Sequence, residues 1–524
     1  MSFPLLTATA VLPAVGAIAT AAVPAKQRTA AKWLALLFSL ATLVLAAVVA
    51  VRFDPGGGRF QLTESHAWIA DFGVRYELGV DGIAVALIAL TALLIPFVIL
   101  AGWHDADPQE TGNTRWRPTQ GFFALILLVE AMVIISFEAT DVFVFYIFFE
   151  AMLIPMYFLI GGFGDRAGPH GEKEAATQRS YAAVKFLLYN LVGGLIMLAA
   201  VIGLYVVAGS FSLSEIAEAR ASGSLDMATS TERLLFLGFF FAFAVKAPLW
   251  PLHTWLPNAM GEATAPVAVL ITAVVDKVGT FAMLRFCLQL FPEASKWATP
   301  AILVLALISI VYGALVAVGQ RDIKRLVAYA SISHFGFIIM GIFAMTSQGQ
   351  SGATLYMVNH GISTAALMLV AGFLISRRGS RLIADYGGVQ KVAPVLAGTF
   401  LIGGLATLSL PGLAPFVSEF LVLVGTFTRY PVIGIIATFG IVLAALYTLV
   451  LYQRTMTGPV KPSTEGIADL RVRELAVVVP LIGVLIFLGV YPKPLTELVN
   501  PAVKHTLSDV HKKDPKPEVE AAHK

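Results

Sequence analysis

The sequence predicts an all-α polytopic membrane protein with 14 transmembrane helices. Of the 524 residues, 57% are hydrophobic and only 13% are charged, with a mean hydropathy of +0.80. Soluble domains carry about a quarter charged residues. Apolar runs of about 20 residues, the length that spans a bilayer, recur along the chain. Lysine and arginine concentrate in every second connection between these runs.

The first apolar run, residues 3–23, predicts a retained transmembrane helix whose N-terminus lies outside. No lysine or arginine precedes this run, and Lys26, Arg28 and Lys32 follow it. A secretory signal peptide has the opposite arrangement, with positive charges before the apolar segment.

The other predicted spans follow one another with short polar or Gly/Pro-rich breaks between them. No connection is long enough to fold as a soluble domain, so residues 1–491 are predicted to form a single transmembrane domain. The separation of the seventh and eighth spans depends only on Pro257 to Gly261. The spans cover about 3–23, 31–51, 80–102, 119–137, 140–161, 181–208, 234–257, 262–290, 299–319, 323–345, 352–376, 392–427, 431–453 and 474–491.

The placement of basic residues supports this count and gives an orientation. With the N-terminus outside, the connections on the inner side hold 19 lysines and arginines, and those on the outer side hold 7. Cytoplasmic connections carry such an excess, so both termini are predicted to lie outside. The polar C-terminal tail, residues 492–524, mixes lysine with glutamate, and we expect it to be poorly ordered.

A single cysteine, Cys287, excludes a disulfide framework within the chain. It also excludes a thiolate-ligated zinc or iron–sulfur site built from this chain alone. We predict no metal, no cofactor and no nucleic-acid partner for this chain, and the lipid bilayer as its main surrounding.

Ionisable residues near the middle of the predicted spans are the strongest functional signal. A charged side chain at the centre of a spanning helix costs about 2.5–3.5 kcal/mol on the insertion scale, so each one requires a reason. The residues concerned are Glu150, Lys246, Lys277 and Glu419, in spans five, seven, eight and twelve, together with His334 and His360 in spans ten and eleven.

A structural role is the alternative for any one of these residues. A buried lysine–glutamate pair can lock two helices together, and a lone histidine is often a core residue. However, four charges and two histidines at similar depth cost more than packing requires. Desolvation destabilises the charged form of a buried lysine and thereby lets it exchange protons. We therefore predict that the six residues form a proton-handling chain.

Three further residues are less decisive. Lys185 lies about one turn from the cytoplasmic end of the sixth span, where it either snorkels to the interface or joins the proton route. His253, up to two turns beyond Lys246, either relays protons towards the cytoplasm or is a core residue. Arg285, near the outer end of the eighth span, is predicted to be a snorkelling anchor.

Prolines interrupt two of the spans that carry charges. Pro248 and Pro251 follow Lys246, and Pro411 precedes Glu419. Proline in a helix interior removes a hydrogen bond, and irregular backbone inside a membrane is tolerated only where protein or a water-filled cavity receives it. Broken helices at a central charge are typical of transporters.

The positions of the broken helices predict two inverted five-helix repeats. Helix 7 is the fourth helix of the set 4–8, about residues 119–290, and helix 12 is the fourth of the set 9–13, about residues 299–453. Because each set has five helices, the second begins on the opposite side of the membrane.

Three stretches resemble the antiporter-like membrane subunits of respiratory complex I. They begin at Lys246-Ala-Pro-Leu-Trp-Pro-Leu-His253, at Gln320-Arg-Asp-Ile-Lys-Arg325 and at Val358-Asn-His-Gly-Ile362. The likeness runs from about helix 3 to helix 13. A glutamate on helix 12, here Glu419, is characteristic of the M-type bacterial subunits, the homologues of mitochondrial subunit 4, whereas their paralogues usually carry lysine.

The resemblance implies a role for each central residue. Glu150 corresponds to the helix-5 glutamate that pairs with the broken-helix lysine, here Lys246, and Lys277 corresponds to the central connecting lysine. His334 and His360 correspond to the polar residues that continue the route, and Glu419 to the terminal acid.

The resemblance also implies a proton-translocating membrane subunit of NADH:quinone oxidoreductase in the bacterial inner membrane, with no redox chemistry on this chain. Redox energy would come from partner subunits, which would hold FMN, iron–sulfur clusters and quinone. The other membrane subunits, especially the neighbouring antiporter-like ones, are the expected partners. A subunit of a multisubunit sodium/proton antiporter or of a membrane-bound hydrogenase is the alternative, since these share the motifs. A metabolite carrier fits less well because it would need a polar substrate pocket, and a structural scaffold fits less well because it would not need Lys277.

Overall fold

The computed structural model describes residues 3–107, 119–164 and 172–515, apart from the side chains at positions 172 and 221. Helices dominate this part of the chain, as the sequence predicts. The N-terminal part comprises the elements α1 (Leu5–Ala22), α2 (Arg28–Arg52), β1 (Gln61–Ile69), β2 (Val74–Val80), α3 (Gly82–Ala101) and α4 (Thr119–Glu138).

An antiparallel hairpin, β1 and β2, occupies the connection that the sequence analysis treated as too short to fold. Its strands pair Glu64 with Leu78 and His66 with Tyr76. The carboxylate of Glu64 accepts hydrogen bonds from the backbone N–H groups of Leu6 and Thr7, at 2.8 and 3.2 Å. Contacts with the first helix, which lie far from the hairpin in sequence, thus help to hold the hairpin in place.

The next elements contain two interruptions. Span five divides at Met152 into two helices, and Pro155 explains the division because it has no N–H for the Ala151 carbonyl. Span seven breaks after Lys246, as predicted, and becomes helical again at Leu256. These elements are α5 (Val142–Ala151), α6 (Leu153–Phe163), α7 (Glu172–Ala208), α8 (Leu213–Ala221), α9 (Thr229–Lys246) and α10 (Leu256–Glu262).

Span eight is helical from Ala265 to Leu288 and is wholly buried inside the protein. It consists of α11 (Ala265–Val269), a π-helical turn (Leu270–Val275), α12 (Asp276–Ala282) and a second π-helical turn (Met283–Leu288). The predicted connection at residues 257–261 is wrong, because these residues belong to α10. The chain turns instead at residues 263–264.

The C-terminal half contains the second predicted break. Residues 408–413 separate α17 from α18, at the prolines and glycine that predicted the interruption. The elements are α13 (Pro292–Val318), α14 (Ile323–Phe343), α15 (Ser347–Arg378), α16 (Val389–Val392), α17 (Pro394–Thr407), α18 (Ala414–Phe427), α19 (Pro431–Met456), α20 (Val472–Val490) and α21 (Lys493–Asp509).

Twelve of the described helical segments are long and apolar enough to cross a membrane. The two predicted spans outside this set are the interrupted ones, spans seven and twelve, in which short helices flank a break. The count of fourteen and the inverted repeats therefore remain predictions. The helical membrane fold itself is confirmed.

The expectation of a poorly ordered tail is wrong for residues 493–509, which form α21. One face of this helix buries Val499 and Val503, and Asp509 pairs with Arg59 before β1, with one nitrogen–oxygen distance of 2.5 Å. The segment is polar on average, but its few apolar residues fall on one side, which gives the helix a face to bury.

Burial separates the helices into two classes. About 94% of the apolar window is buried in α14 and in α15, against 33% in α2 and in α19. The central helices can therefore hold charged side chains away from lipid, whereas the outer ones present apolar side chains to their surroundings.

Candidate functional site

Lys246 is the last residue of α9 and is buried. Its ammonium donates a hydrogen bond of 2.6 Å to the backbone carbonyl of Phe149 and lies 3.7 Å from the centre of the Phe149 ring. That carbonyl belongs to the last turn of α5, where carbonyls lack intrahelical partners. The C-terminal ends of α5 and α9 thus meet at Lys246.

Side chains from other segments form hydrogen bonds with backbone groups around Lys246. The indole of Trp255 donates to the carbonyl of Val245 at 3.0 Å, and the hydroxyl of Ser309 accepts from the N–H of Trp250 at 2.8 Å. These contacts satisfy groups that the proline-induced break leaves without helical partners.

Glu150 lies beside this site but makes no direct bond to Lys246. Its Oε1 atom is buried and has no hydrogen-bond partner among the described residues. The carboxylate lies against Gly194 of α7, where a side-chain Cβ would overlap it. The predicted pair therefore has no direct bond, although the Lys246 ammonium bonds to Phe149, the residue before Glu150.

Lys277 contacts the second half of the predicted chain directly. Its ammonium is 2.6 Å from Nδ1 of His360 and 4.2 Å from the centre of the Phe335 ring. Lysine and histidine come from α12 and α15, and both are buried. The two side chains are therefore within hydrogen-bond distance of each other.

The two histidines lie next to each other. The ring centres of His360 and His334 are 5.1 Å apart, and Nε2 of His334 is 3.4 Å from the hydroxyl of Tyr447. The ring of Tyr356 lies 5.8 Å from that of His334. Polar groups therefore continue from Lys277 towards the break in span twelve.

Glu419 ends this series of contacts. The hydroxyl of Tyr356 donates to Oε2 of Glu419 at 2.8 Å, and the hydroxyl of Ser409 donates to the same oxygen. Ser409 lies in the break itself, and Glu419 lies in the second turn of α18. The interruption thus supplies a hydrogen-bond donor to the buried acid.

The most informative similarities to known proteins extend over most of the chain. The family model described as NADH:quinone oxidoreductase/Mrp antiporter, transmembrane, matches residues 139–444. NADH-quinone oxidoreductase subunit M of Mycobacterium tuberculosis is 54% identical over 98% of this chain and 96% of that protein. The chain belongs to the family of NADH-quinone oxidoreductase subunit M.

Other members of the family agree with this assignment. Subunit M of Rhodobacter capsulatus is 38% identical over 93% of this chain and 92% of its own length. NADH-ubiquinone oxidoreductase chain 4 of Marchantia polymorpha is 32% identical over 94% of this chain and 95% of its own length. The family predicted from the motifs and from Glu419 is confirmed.

Solved structures give the same fold. A chain of respiratory complex I from Thermus thermophilus matches with a TM-score of 0.84 and 30% identity, over 96% of this chain and 99% of that one. The Mrp complex of Dietzia matches with a TM-score of 0.81 over 98% of this chain and 100% of the other, but at 20% identity. This second match shows a shared fold alone.

Lys185 and His253 lie close to each other on the predicted cytoplasmic side. The ammonium of Lys185 donates to the side chain of Asn258 at 3.1 Å, and the hydroxyl of Thr254 donates to Tyr189 at 2.8 Å. His253 is buried, and neither of its ring nitrogens has a hydrogen-bond partner among the described residues. A part in the proton route stays a prediction for both residues.

Arg285 is a correction to the sequence analysis. It is not an anchor at the membrane surface, because it is buried and its Nη2 atom lies 2.9 Å from Oδ1 of Asp81. Asp81 also accepts a hydrogen bond from the N–H of Ala84 and so caps α3. Sequence reasoning failed here because Asp81, at the very start of the predicted third span, is far from Arg285 along the chain.

Sequence reasoning also passed over four polar residues near the site. Tyr356, Tyr447 and Ser409 gave no signal, because uncharged hydroxyls are common in spanning helices. Asp276 did give one, since it is an acid in the middle of span eight, directly before Lys277. The insertion cost that singled out Lys277 applies equally to Asp276.

Proposed function

We propose that this chain is the proton-translocating membrane subunit M of an NADH:quinone oxidoreductase, and that protons move through Glu150, Lys246, Lys277, His360, His334 and Glu419. Membership of the subunit M family supports the complex to which the chain belongs. The observation that carries the route is the series of contacts from the Lys277 ammonium to the Glu419 carboxylate. No step in this series needs a redox group.

His360 can pass a proton from one side of its ring to the other. Its Nδ1 atom faces Lys277 at 2.6 Å, and its Nε2 atom has no hydrogen-bond partner among the described residues. A neutral imidazole accepts a proton at one nitrogen and can release one from the other. His334 and the hydroxyl of Tyr447 lie next in line.

Glu419 is proposed as the terminal acceptor. The hydroxyls of Tyr356 and Ser409 stabilise its carboxylate form, and the break between α17 and α18 gives a way out of the helix bundle. With both termini outside, as the basic residues predict, the exit faces the exterior of a bacterial inner membrane. Lys185 and His253 lie at the opposite end, where protons would enter.

The separated positions of Glu150 and Lys246 suggest how the route is controlled. When the carboxylate is near, it stabilises the ammonium form of Lys246. When it lies against Gly194, that stabilisation is smaller, so Lys246 more readily releases its proton towards Lys277. Moving one charge against 100 mV costs about 2.3 kcal/mol, which a change in one buried ion pair can supply.

The redox reaction belongs to partner subunits in this proposal. FMN, iron–sulfur clusters and quinone are expected there, and neighbouring antiporter-like subunits are expected to contact this chain within the membrane. Purification of the native complex and identification of its subunits checks this directly. A sodium/proton antiporter complex would lack NADH-oxidising and iron–sulfur subunits.

The route is tested with Lys246→Ala and Glu150→Ala in membrane vesicles that contain the whole complex. NADH-driven proton uptake is expected to be lost in both, while the complex remains assembled. Lys296→Ala is the matched control, because Lys296 lies near the end of a span and pairs with the exposed Glu293. Proton uptake at the control rate in either of the first two variants contradicts the route.

A further inference from the structure

One stretch of the proposed route has no polar contact of its own. Hydrogen bonds and ring contacts link Lys277 to Glu419, but Lys246 bonds to a backbone carbonyl of α5 and not to Lys277. The two lysines lie on different helices, α9 and α12. A proton that passes between them therefore needs a group in the intervening space.

Asp276 is buried on α12, directly before Lys277. It is the first residue of α12 and has no solvent exposure. Neither carboxylate oxygen has a hydrogen-bond partner among the described residues. Helix α12 packs on α9, the helix that ends at Lys246.

The face of α12 that carries Asp276 packs on the break in span seven. Gly279 follows Asp276 by three residues and so lies on the same side of the helix. A Cβ at Gly279 would come within 2.9 Å of the Phe243 carbonyl and of the Ala247 N–H nitrogen. Phe243 and Ala247 lie on either side of Lys246 along the chain, so this face of α12 packs on α9 next to Lys246.

Aromatic rings lie against both ammonium groups. The ring of Phe149 is centred 3.7 Å from the Lys246 ammonium, and that of Phe335 is centred 4.2 Å from the Lys277 ammonium. Such rings offer no site that can hold a proton. Asp276 is a titratable group on α12, the helix that carries Lys277 and packs on the end of α9.

Packing does not account for an acid at this position. A leucine of similar size would fill the space without the cost of about 2.5–3.5 kcal/mol that an acid carries at a helix centre. A buried carboxyl group is stable either as the neutral acid or with a cation nearby. Between two lysines, Asp276 can alternate between these forms.

We propose that Asp276 carries the proton from Lys246 to Lys277. In the first step the Lys246 ammonium gives a proton to the carboxylate, which leaves a neutral amine and a neutral acid. In the second step the acid gives that proton to the neutral amine of Lys277, which restores the carboxylate. The inference rests on the proposed route and adds one residue to it.

The test uses Asp276→Asn, Asp276→Glu and Asp276→Leu in the whole complex. Asparagine keeps the shape and polarity but cannot carry a proton, so NADH-driven proton uptake is expected to fall at least tenfold, the lower range for a positioned acid–base group being about 100-fold. Glutamate is expected to restore much of the rate. Leucine is expected to pack well and to stay inactive.

Infrared difference spectra provide a readout that a structural role would not change. A carboxyl band that is sensitive to deuterium exchange is expected to change during turnover and to be missing from Asp276→Asn. If Asp276→Asn lowers proton uptake and no such band exists, Asp276 acts only as a fixed charge and the inference is overturned. Normal uptake in Asp276→Asn or in Asp276→Leu also overturns it.

The Lys246→Ala variant separates this inference from the route on which it rests. If Lys246→Ala stops proton uptake and Asp276→Asn does not, the route stands and Asp276 is not part of it. If both variants pump normally, the route itself fails.

Discussion

At the scale of single residues, the positions of the buried charges depend on a neighbour that has no side chain as well as on neighbours that supply hydrogen-bond partners. Glu150 fits against α7 because position 194 is a glycine, and Lys246 finds a carbonyl because α5 ends nearby. Glu419 is held by two hydroxyls. The residue types that carry charge could be read from the sequence, since their insertion cost is large. The glycine and the hydroxyls could not, because both are common in any spanning helix.

Gly194→Ala tests the placement of Glu150. The added methyl group overlaps the carboxylate, so Glu150 must leave its present position or the helices must separate. Overpacking costs about 1–3 kcal/mol, and NADH-driven proton uptake in vesicles is expected to fall about fivefold or more.

Gly162→Ala is the matched control for this change. Gly162 lies on α6, and a Cβ there meets no atom within 4 Å. Alanine should slightly favour the helix at that position and leave proton uptake unchanged. Equal rates in both variants would show that the space at Gly194 does not matter to Glu150.

At the scale of elements, the breaks in spans seven and twelve were predicted from proline, whereas the division of span five, the hairpin and α21 were not predicted. Proline acts on its own helix through a missing N–H, so its effect is visible locally. The hairpin depends on Glu64 binding the start of α1, and α21 depends on a surface for Val499 and Val503 to pack against. These partners are distant in sequence, and no local pattern reveals them.

Val503→Asp tests whether α21 is held by its apolar face. A buried, unpaired carboxylate costs several kcal/mol, so the helix should detach and residues 493–515 should be cleaved faster in limited proteolysis of the complex. Lys504→Asp, at an exposed neighbouring position of the same helix, is the control and should leave the cleavage rate unchanged. Equal rates for the two variants would exclude packing of this face as the cause of order.

At the scale of the whole molecule, the uneven distribution of basic residues is the argument for orientation. The 19 lysines and arginines predicted inside, against 7 outside, predict that the N-terminus and the proposed exit from Glu419 lie on the exterior. Burial within the protein gives no such direction, because both ends of the helix bundle are polar. The orientation in the membrane therefore depends on the lysines and arginines of the connecting loops.

Single-cysteine variants test this orientation. The native Cys287 is buried, so it should not react with a membrane-impermeant maleimide. Ser224→Cys, in an exposed connection predicted to be outside, should be labelled in intact spheroplasts. Gln27→Cys, in an exposed connection predicted to be inside, should be labelled only after the membrane is opened. The reverse labelling pattern would show that the chain has the opposite orientation, and the proposed proton route would then run the other way.

The sequence by itself determined the membrane class, the family, the two helix breaks and the six central residues, because apolar length, proline and buried charge each act locally. Only the tertiary structure decided which of those residues touch. It joined Lys277 to His360 and, through Tyr356, connected the histidines to Glu419. It left Glu150 without a direct bond to Lys246, paired Arg285 with Asp81 and buried Asp276 on the helix that packs against the end of α9. Such contacts depend on how helices far apart in sequence pack, and packing at that precision is a property of the whole chain.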